Sequence, residues 1–118
     1  MSYDVPLQLV QKISDLAKVH TPPAKRGKMY EYIIKLGLER IGENGPERMD
    51  NLIGREDGVK VQTDRFVHFI RATTFFEFEK MYKEQFSMSS KTVFHEYLVN
   101  LGIRAYEEMY DEFGVRRD

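Results

Sequence analysis

Three cations set close together, Lys25, Arg26 and Lys28, follow a Thr21-Pro22-Pro23 break, and Ser87, Ser89, Ser90, Lys91 and Thr92 form a second polar group far downstream. Both groups stand where a helix is expected to begin. Free backbone amides, hydroxyl donors and cations at a helix start together suit an anionic oxygen, above all a phosphate. Ordinary capping and a solvated helix face account for the same residues without a ligand. Other chemistry is poorly supplied. There is no cysteine, which excludes disulfides, thiolate metal sites and a cysteine nucleophile. His20, His68 and His95 lack a metal-binding spacing, Tyr30, Tyr32, Tyr97 and Tyr106 offer no cofactor pattern, and no glycine-rich phosphate loop or serine-nucleophile context is present. These residues point to a binding protein rather than an enzyme, with no cofactor and no metal.

The two polar groups occupy equivalent places in an internal repeat. Met29-Tyr30-Glu31-Tyr32-Ile33-Ile34-Lys35-Leu36-Gly37-Leu38 matches Phe94-His95-Glu96-Tyr97-Leu98-Val99-Asn100-Leu101-Gly102-Ile103, and with the same offset Val10, Ile13, Leu16 and Ala17 fall on Phe75, Phe78, Met81 and Tyr82. Each copy opens on a short extended stretch, residues 2–7 and 65–72, the second rich in aromatic and branched side chains at Phe66-Val67-His68-Phe69-Ile70. Apolar residues at three- and four-residue spacing then predict a helix in each: Leu9, Val10, Ile13, Leu16 and Ala17, and Phe75, Phe78, Met81 and Tyr82. Phe75, Phe76 and Phe78 read as core, with Phe76 a candidate for an interface. Thr21 and the prolines after it, and the serines at 87–90, are expected to open a second, longer helix carrying Met29, Tyr32, Ile33, Leu36 and Ile41, or Phe94, Tyr97, Leu98, Leu101, Ala105 and Tyr106. Gly42 and Gly45 are expected to close the earlier of these. Gly37 and Gly102 sit inside the long helices, where glycine costs about 1 kcal/mol relative to alanine. Close backbone approach at a helix crossing explains that placement; tolerance at a surface turn is the alternative.

The organisation that follows is a first unit over 1–42, a linker over 43–64 containing Gly45-Pro46, Gly54 and Gly58, a second unit over 65–113, and a short polar tail over 114–118 with Gly114 as a stop. Residues 46–52 can form a turn or two of helix. At 118 residues the two units must share one core. A single strand cannot satisfy its own backbone, so neither copy should fold alone. The two strands are expected to pair antiparallel across a pseudo-twofold axis, giving a mainly α fold with a two-stranded antiparallel β-ribbon. Pairing within one chain and exchange between chains are both open to a linker of this length.

Composition limits the partners. Hydrophobic residues make up 42% and charged residues 31%, enough for both a core and a solvated surface. No apolar run is long enough to span a bilayer and residues 1–4 are unlike a secretory signal, so an intracellular, cytoplasmic, non-membrane protein is expected. The formal net charge of −1 gives the whole molecule no electrostatic pull on nucleic acid, so any such binding rests on local patches. Glu77, Glu79 and Glu84, and Glu107, Glu108, Asp111 and Glu112, form acidic outer faces suited to solvation or to a basic partner.

Strand, helix, helix in tandem resembles the ribbon-helix-helix family, the Arc/MetJ-type DNA-binding proteins, over most of the chain outside linker and tail. In Arc-like members a proline ends the strand and apolar residues follow at the intervals seen here from Pro6 to Leu9, Val10, Ile13, Leu16 and Ala17. The tandem layout is similar to accessory proteins of plasmid conjugation and some archaeal viral regulators. The resemblance implies a tandem ribbon-helix-helix fold and a repressor or accessory factor binding double-stranded DNA, ribbon in the major groove, with copies side by side on adjacent half-sites. It directs Tyr3, Val5, His68 and Ile70 inward and Ser2, Asp4, Val67, Phe69 and Arg71 outward as the base-reading set; opposite parity would turn Phe66, His68 and Ile70 out. It places Lys25, Arg26, Lys28, Ser89, Ser90, Lys91 and Thr92 on phosphates. Arg71 is the outward ribbon residue best suited to read a base. The alternative is a protein-interaction module on the same scaffold, suggested by balanced charge, by Asp4, and by apolar Val67 and Phe69. An antitoxin would need a longer partner-wrapping segment than follows Met109.

Overall fold

A computed structural model describes residues 1–56 and 60–118. Among the described residues the order is β1 (Ser2–Pro6), α1 (Leu7–Val19), α2 (Arg26–Asn44), β2 (Thr63–Val67), α3 (Ala72–Met81), a π-helical turn (Tyr82–Phe86) and α4 (Lys91–Met109). The protein is mainly helical, with one two-stranded antiparallel sheet formed within the chain by β1 and β2. No described helix is long and apolar enough to cross a membrane.

The register of the sheet sets Ser2 opposite Val67, Tyr3 opposite Phe66, Asp4 opposite Arg65, Val5 opposite Asp64 and Pro6 opposite Thr63. Met1 and His68 exchange two further backbone bonds of 2.7 and 3.0 Å, which prolongs the ladder by one pair. The second strand therefore lies earlier than the expected 65–72, and its first residues come from the segment read as linker. Parity is the physical reason. Directly opposed residues share a face, so this register puts Phe66 beside Tyr3 against the core and sets Arg65 against Asp4 on the outside.

Apolar periodicity built the helices as expected. Leu9, Ile13, Leu16 and Ala17 of α1 are buried, as are Met29, Ile33, Leu36 and Ile41 of α2 and Phe94, Leu98, Leu101 and Tyr106 of α4. In α3 the pattern holds less well. Phe78 is fully buried, but Phe75 is partly open and Phe76 is 67% exposed, so neither joins the core. Thr74 takes the buried place instead, its hydroxyl donating to Glu31 Oε2 at 2.9 Å.

The two long helices cross at their interior glycines. A Cβ on Gly37 would stand 2.7 Å from the Leu98 carbonyl oxygen, and one on Gly102 would overlap the Ile33 carbonyl oxygen. Ile33 and Leu98 match each other in the repeat, as the glycines do, so one contact is made twice with the roles exchanged. Close approach, not tolerance at a surface turn, accounts for both glycines.

Several boundaries differ from expectation. Thr21 does not cap α2: Thr21–Pro22 is a cis peptide in the connection, and the helix opens at Arg26 behind Lys25. Gly42 is passed over and Gly45, at φ 75°, ends α2 with its N–H on the Ile41 carbonyl. Residues 46–52 form no helix. They and residues 53–55 are bonded along α4: the Glu47 N–H donates to Tyr97 Oη at 2.8 Å, the Ile53 N–H to Asn100 Oδ1 at 2.8 Å, and Arg55 clasps Glu96 at 2.7 and 2.8 Å. Gly58 lies outside the described residues. α4 ends at Met109, where the polar tail from Tyr110 begins. Gly114, at φ 70°, closes a turn bridged by Tyr110 and Arg116, and its carbonyl accepts from the Thr21 N–H at 3.1 Å.

Candidate nucleic-acid interface

The ribbon presents one face to the helices and one to solvent. Tyr3, Val5 and Phe66 pack inward, Tyr3 stacking on His95 with ring centroids 4.3 Å apart. Outward stand Ser2, Asp4, Arg65 and Val67. Past the paired residues the alternation continues, with His68 and Ile70 partly buried and Phe69 and Arg71 exposed. The outward row of the second strand and its extension is thus Arg65, Val67, Phe69 and Arg71: apolar at the centre, cationic at both ends. Val67 is 56% and Phe69 98% exposed.

Both end cations are engaged. Arg65 Nε stands 3.6 Å from Asp4 Oδ1, with both side chains open to water. Arg71 Nε stands 3.9 Å from Glu31 Oε2, and its backbone N–H donates to Glu31 Oε1 at 3.3 Å. The Arg65–Asp4 pair, exposed on both sides, contributes at most about 1 kcal/mol, so a phosphate or base edge can compete for Arg65; at Arg71 the guanidinium is open but the Glu31 carboxylate is largely covered.

Helix starts flank the ribbon on both sides. On the β2 side, Gly27 at the beginning of α2 abuts His68, and a Cβ there would stand 3.1 Å from Nδ1. Arg26 donates from Nε to His68 Nε2 at 3.2 Å, and its guanidinium carbon lies 5.2 Å from the centroid of the Phe66 ring. Burial, then the charge of Arg26, holds the His68 imidazole below its usual pKa, leaving Nε2 free to accept. Lys25 and Lys28 are exposed and form no ion pair among the described residues.

On the β1 side, α4 opens with Ser90, whose Oγ accepts from the Val93 N–H at 3.1 Å. Ser89 turns back, its hydroxyl donating to the Phe86 carbonyl at 3.0 Å, and Thr92 is exposed. Lys91 matches Arg26 in the repeat. Its ammonium stands 2.8 and 2.9 Å from the two Glu79 oxygens and 5.7 Å from the Tyr82 ring centroid, and the hydrogen bond to Glu79 raises its pKa. The α2 start therefore offers cations without carboxylate partners, whereas the α4 start offers hydroxyls and one cation already held.

The start of α2 thus abuts β2 through His68 and Phe66, and the first turns of α4 abut β1 through Tyr3, so the two clusters stand on opposite edges of the ribbon whose outward positions are Ser2, Asp4, Val67, Phe69 and Arg71. Sequence reasoning missed Arg65, which faces outward in the middle of the ladder, and Thr63 at its end. The signal was available: Thr63, Arg65 and Val67 alternate with Asp64 and Phe66, but residue 65 marked the edge of the expected strand. Among the described residues no group of three or more His, Asp or Glu is placed to hold a metal ion. No protein-family model, curated protein or solved structure matches the chain.

Proposed function

We propose that this chain is a non-catalytic DNA-binding protein, a tandem ribbon-helix-helix unit with a pseudo-twofold arrangement of its two halves, acting as a repressor or as a plasmid or viral accessory factor. One observation carries the reading: a ribbon made by both halves of the chain turns Arg65, Val67, Phe69 and Arg71 outward between two helix starts, one bearing the free cations Lys25 and Lys28. A two-stranded ribbon fits the major groove, and amides and cations on either side of it suit the flanking phosphates. Copies would sit side by side on repeated half-sites.

Binding of the intact protein to random duplex, followed by fluorescence anisotropy against salt, tests this. Three phosphate contacts predict a slope near −2.7 in log K against log salt, or a loss of about fortyfold between about 50 and 200 mM. A second reading has its own observation: Val67 and Phe69 are exposed apolar side chains on the same face, and Arg65, Arg71 and Lys91 each already hold a carboxylate. That is the surface of a protein-interaction module. Failure to retain any duplex at low salt selects it.

A further inference from the structure

We infer that the outward face of the ribbon recognises the 5-methyl groups of pyrimidines in the major groove, an inference that rests on the DNA-binding reading above. The centre of this face carries almost no hydrogen-bonding reach. Val67 stands directly opposite Ser2, and the next outward residue is Phe69, 98% exposed. The Ser2 hydroxyl is the one polar side-chain group at that level. The long donors, Arg65 and Arg71, lie at the two ends of the row, each beside a carboxylate. The centre of this face, Val67 and Phe69, has no side-chain donor or acceptor with which to distinguish bases. The apolar feature that base edges present in the major groove is the pyrimidine 5-methyl group, and phenylalanine is among the side chains that contact it.

Spacing agrees with this assignment. Alternate residues of an extended strand are about 6.6 Å apart, close to two base-pair rises of about 3.4 Å each. Val67 and Phe69 therefore meet methyl groups about two base pairs apart. Lys25 and Lys28, exposed beside the same edge of the ribbon, supply charge complementary to the backbone that would bring the groove onto this face. Each methyl removed from water contributes a factor of about four in affinity.

The test changes single methyl groups. A duplex is selected by the intact protein from a random pool, then resynthesised with deoxyuridine replacing thymine one position at a time, which deletes the methyl and leaves base pairing intact. The expected result is a loss of about fourfold at each of two positions about two base pairs apart. Phe69→Ser and Val67→Ser should bind the parent duplex more weakly and each become indifferent to deoxyuridine at one of those positions, with the salt slope unchanged. Cytosine and 5-methylcytosine placed at the same positions separate the methyl from the rest of thymine: recovery of the same factor by 5-methylcytosine over cytosine is expected. Equal binding of thymine and deoxyuridine duplexes, a penalty undiminished in both variants, or no recovery by 5-methylcytosine would each overturn the inference while leaving DNA binding intact. Failure of the wild-type protein to retain any duplex at low salt removes the DNA-binding reading itself.

Discussion

The phenolic oxygen of Tyr30 lies 2.6 Å from Nε2 of His95, and the two residues, 65 positions apart, hold matching places in α2 and α4. Both are buried, and His95 Nδ1 has no partner among the described residues. Burial, and after it the positive charge of the Met1 amino group, pushes the His95 pKa down to about 3. The imidazole is therefore neutral in the folded state and takes a proton only at a cost to the core.

Stability should consequently depend on pH in one direction. In the unfolded chain His95 titrates near 6.5, so its contribution is complete above that value. It is lost as the pH falls from about 6.5 toward 3, at about 1.4 kcal/mol per pH unit. Urea midpoints measured between about pH 7 and 4.5 should drop for the wild-type protein and drop less steeply for His95→Gln. Parallel curves for the two proteins would show that carboxylates alone produce the acid sensitivity.

Alanine at either crossing glycine should destabilise despite its better helix propensity. The propensity gain of about 1 kcal/mol is outweighed by overpacking of about 1–3 kcal/mol or more against backbone oxygen, which cannot move aside as a side chain can. Gly102→Ala should be the worse of the two, since its Cβ would overlap the Ile33 carbonyl oxygen, whereas at Gly37 the Leu98 oxygen stands at 2.7 Å. Denaturant midpoints of the single variants check the order.

Among the basic residues, pairing decides the expected effect on DNA. Lys25→Ala and Lys28→Ala should each reduce the salt slope by about 0.9 and weaken binding on all sequences alike. Lys91→Ala should change the slope less, because its ammonium already has Glu79 at 2.8 Å and must leave it before a phosphate gains. Anisotropy titrations at several salt concentrations separate these variants. An equal slope for all four proteins would remove the phosphate role.

Arg55→Ala should cost about 3 kcal/mol. Glu96 is almost fully buried and Arg55 holds both of its oxygens, so truncation strands a carboxylate inside the protein. Arg55→Ala with Glu96→Gln should recover part of the loss, which a double-mutant cycle by chemical denaturation measures directly.

The helices were legible in the sequence because apolar residues at three- and four-residue spacing define a buried face wherever the helix packs. The repeat also located the glycine crossing. Register was not legible. From Arg65 to Arg71 exposed and covered side chains alternate, and nothing local marks which five residues pair with Ser2–Pro6; the choice follows from Tyr3 meeting Phe66 over the core. For the same reason Arg65 escaped notice at the candidate site. The burial of Thr74 in place of Phe75 was hidden as well, because the hydroxyl gains its partner, Glu31, from α2 rather than from its own helix. Where residues 46–52 form no helix, Tyr97 donates its hydroxyl to the Glu47 carbonyl, an acceptor that a helical turn would have used internally.

Because Ser2–Pro6 pairs, among the described residues, with Thr63–Val67, a nascent chain leaving the ribosome carries its first extended segment unzipped for several seconds, at about 5–20 residues added per second. During that interval the apolar faces of α1 and α2 have no α4 to cover them. The molecule therefore matures late and all at once, with the arrival of its final third deciding whether the earlier part holds any shape.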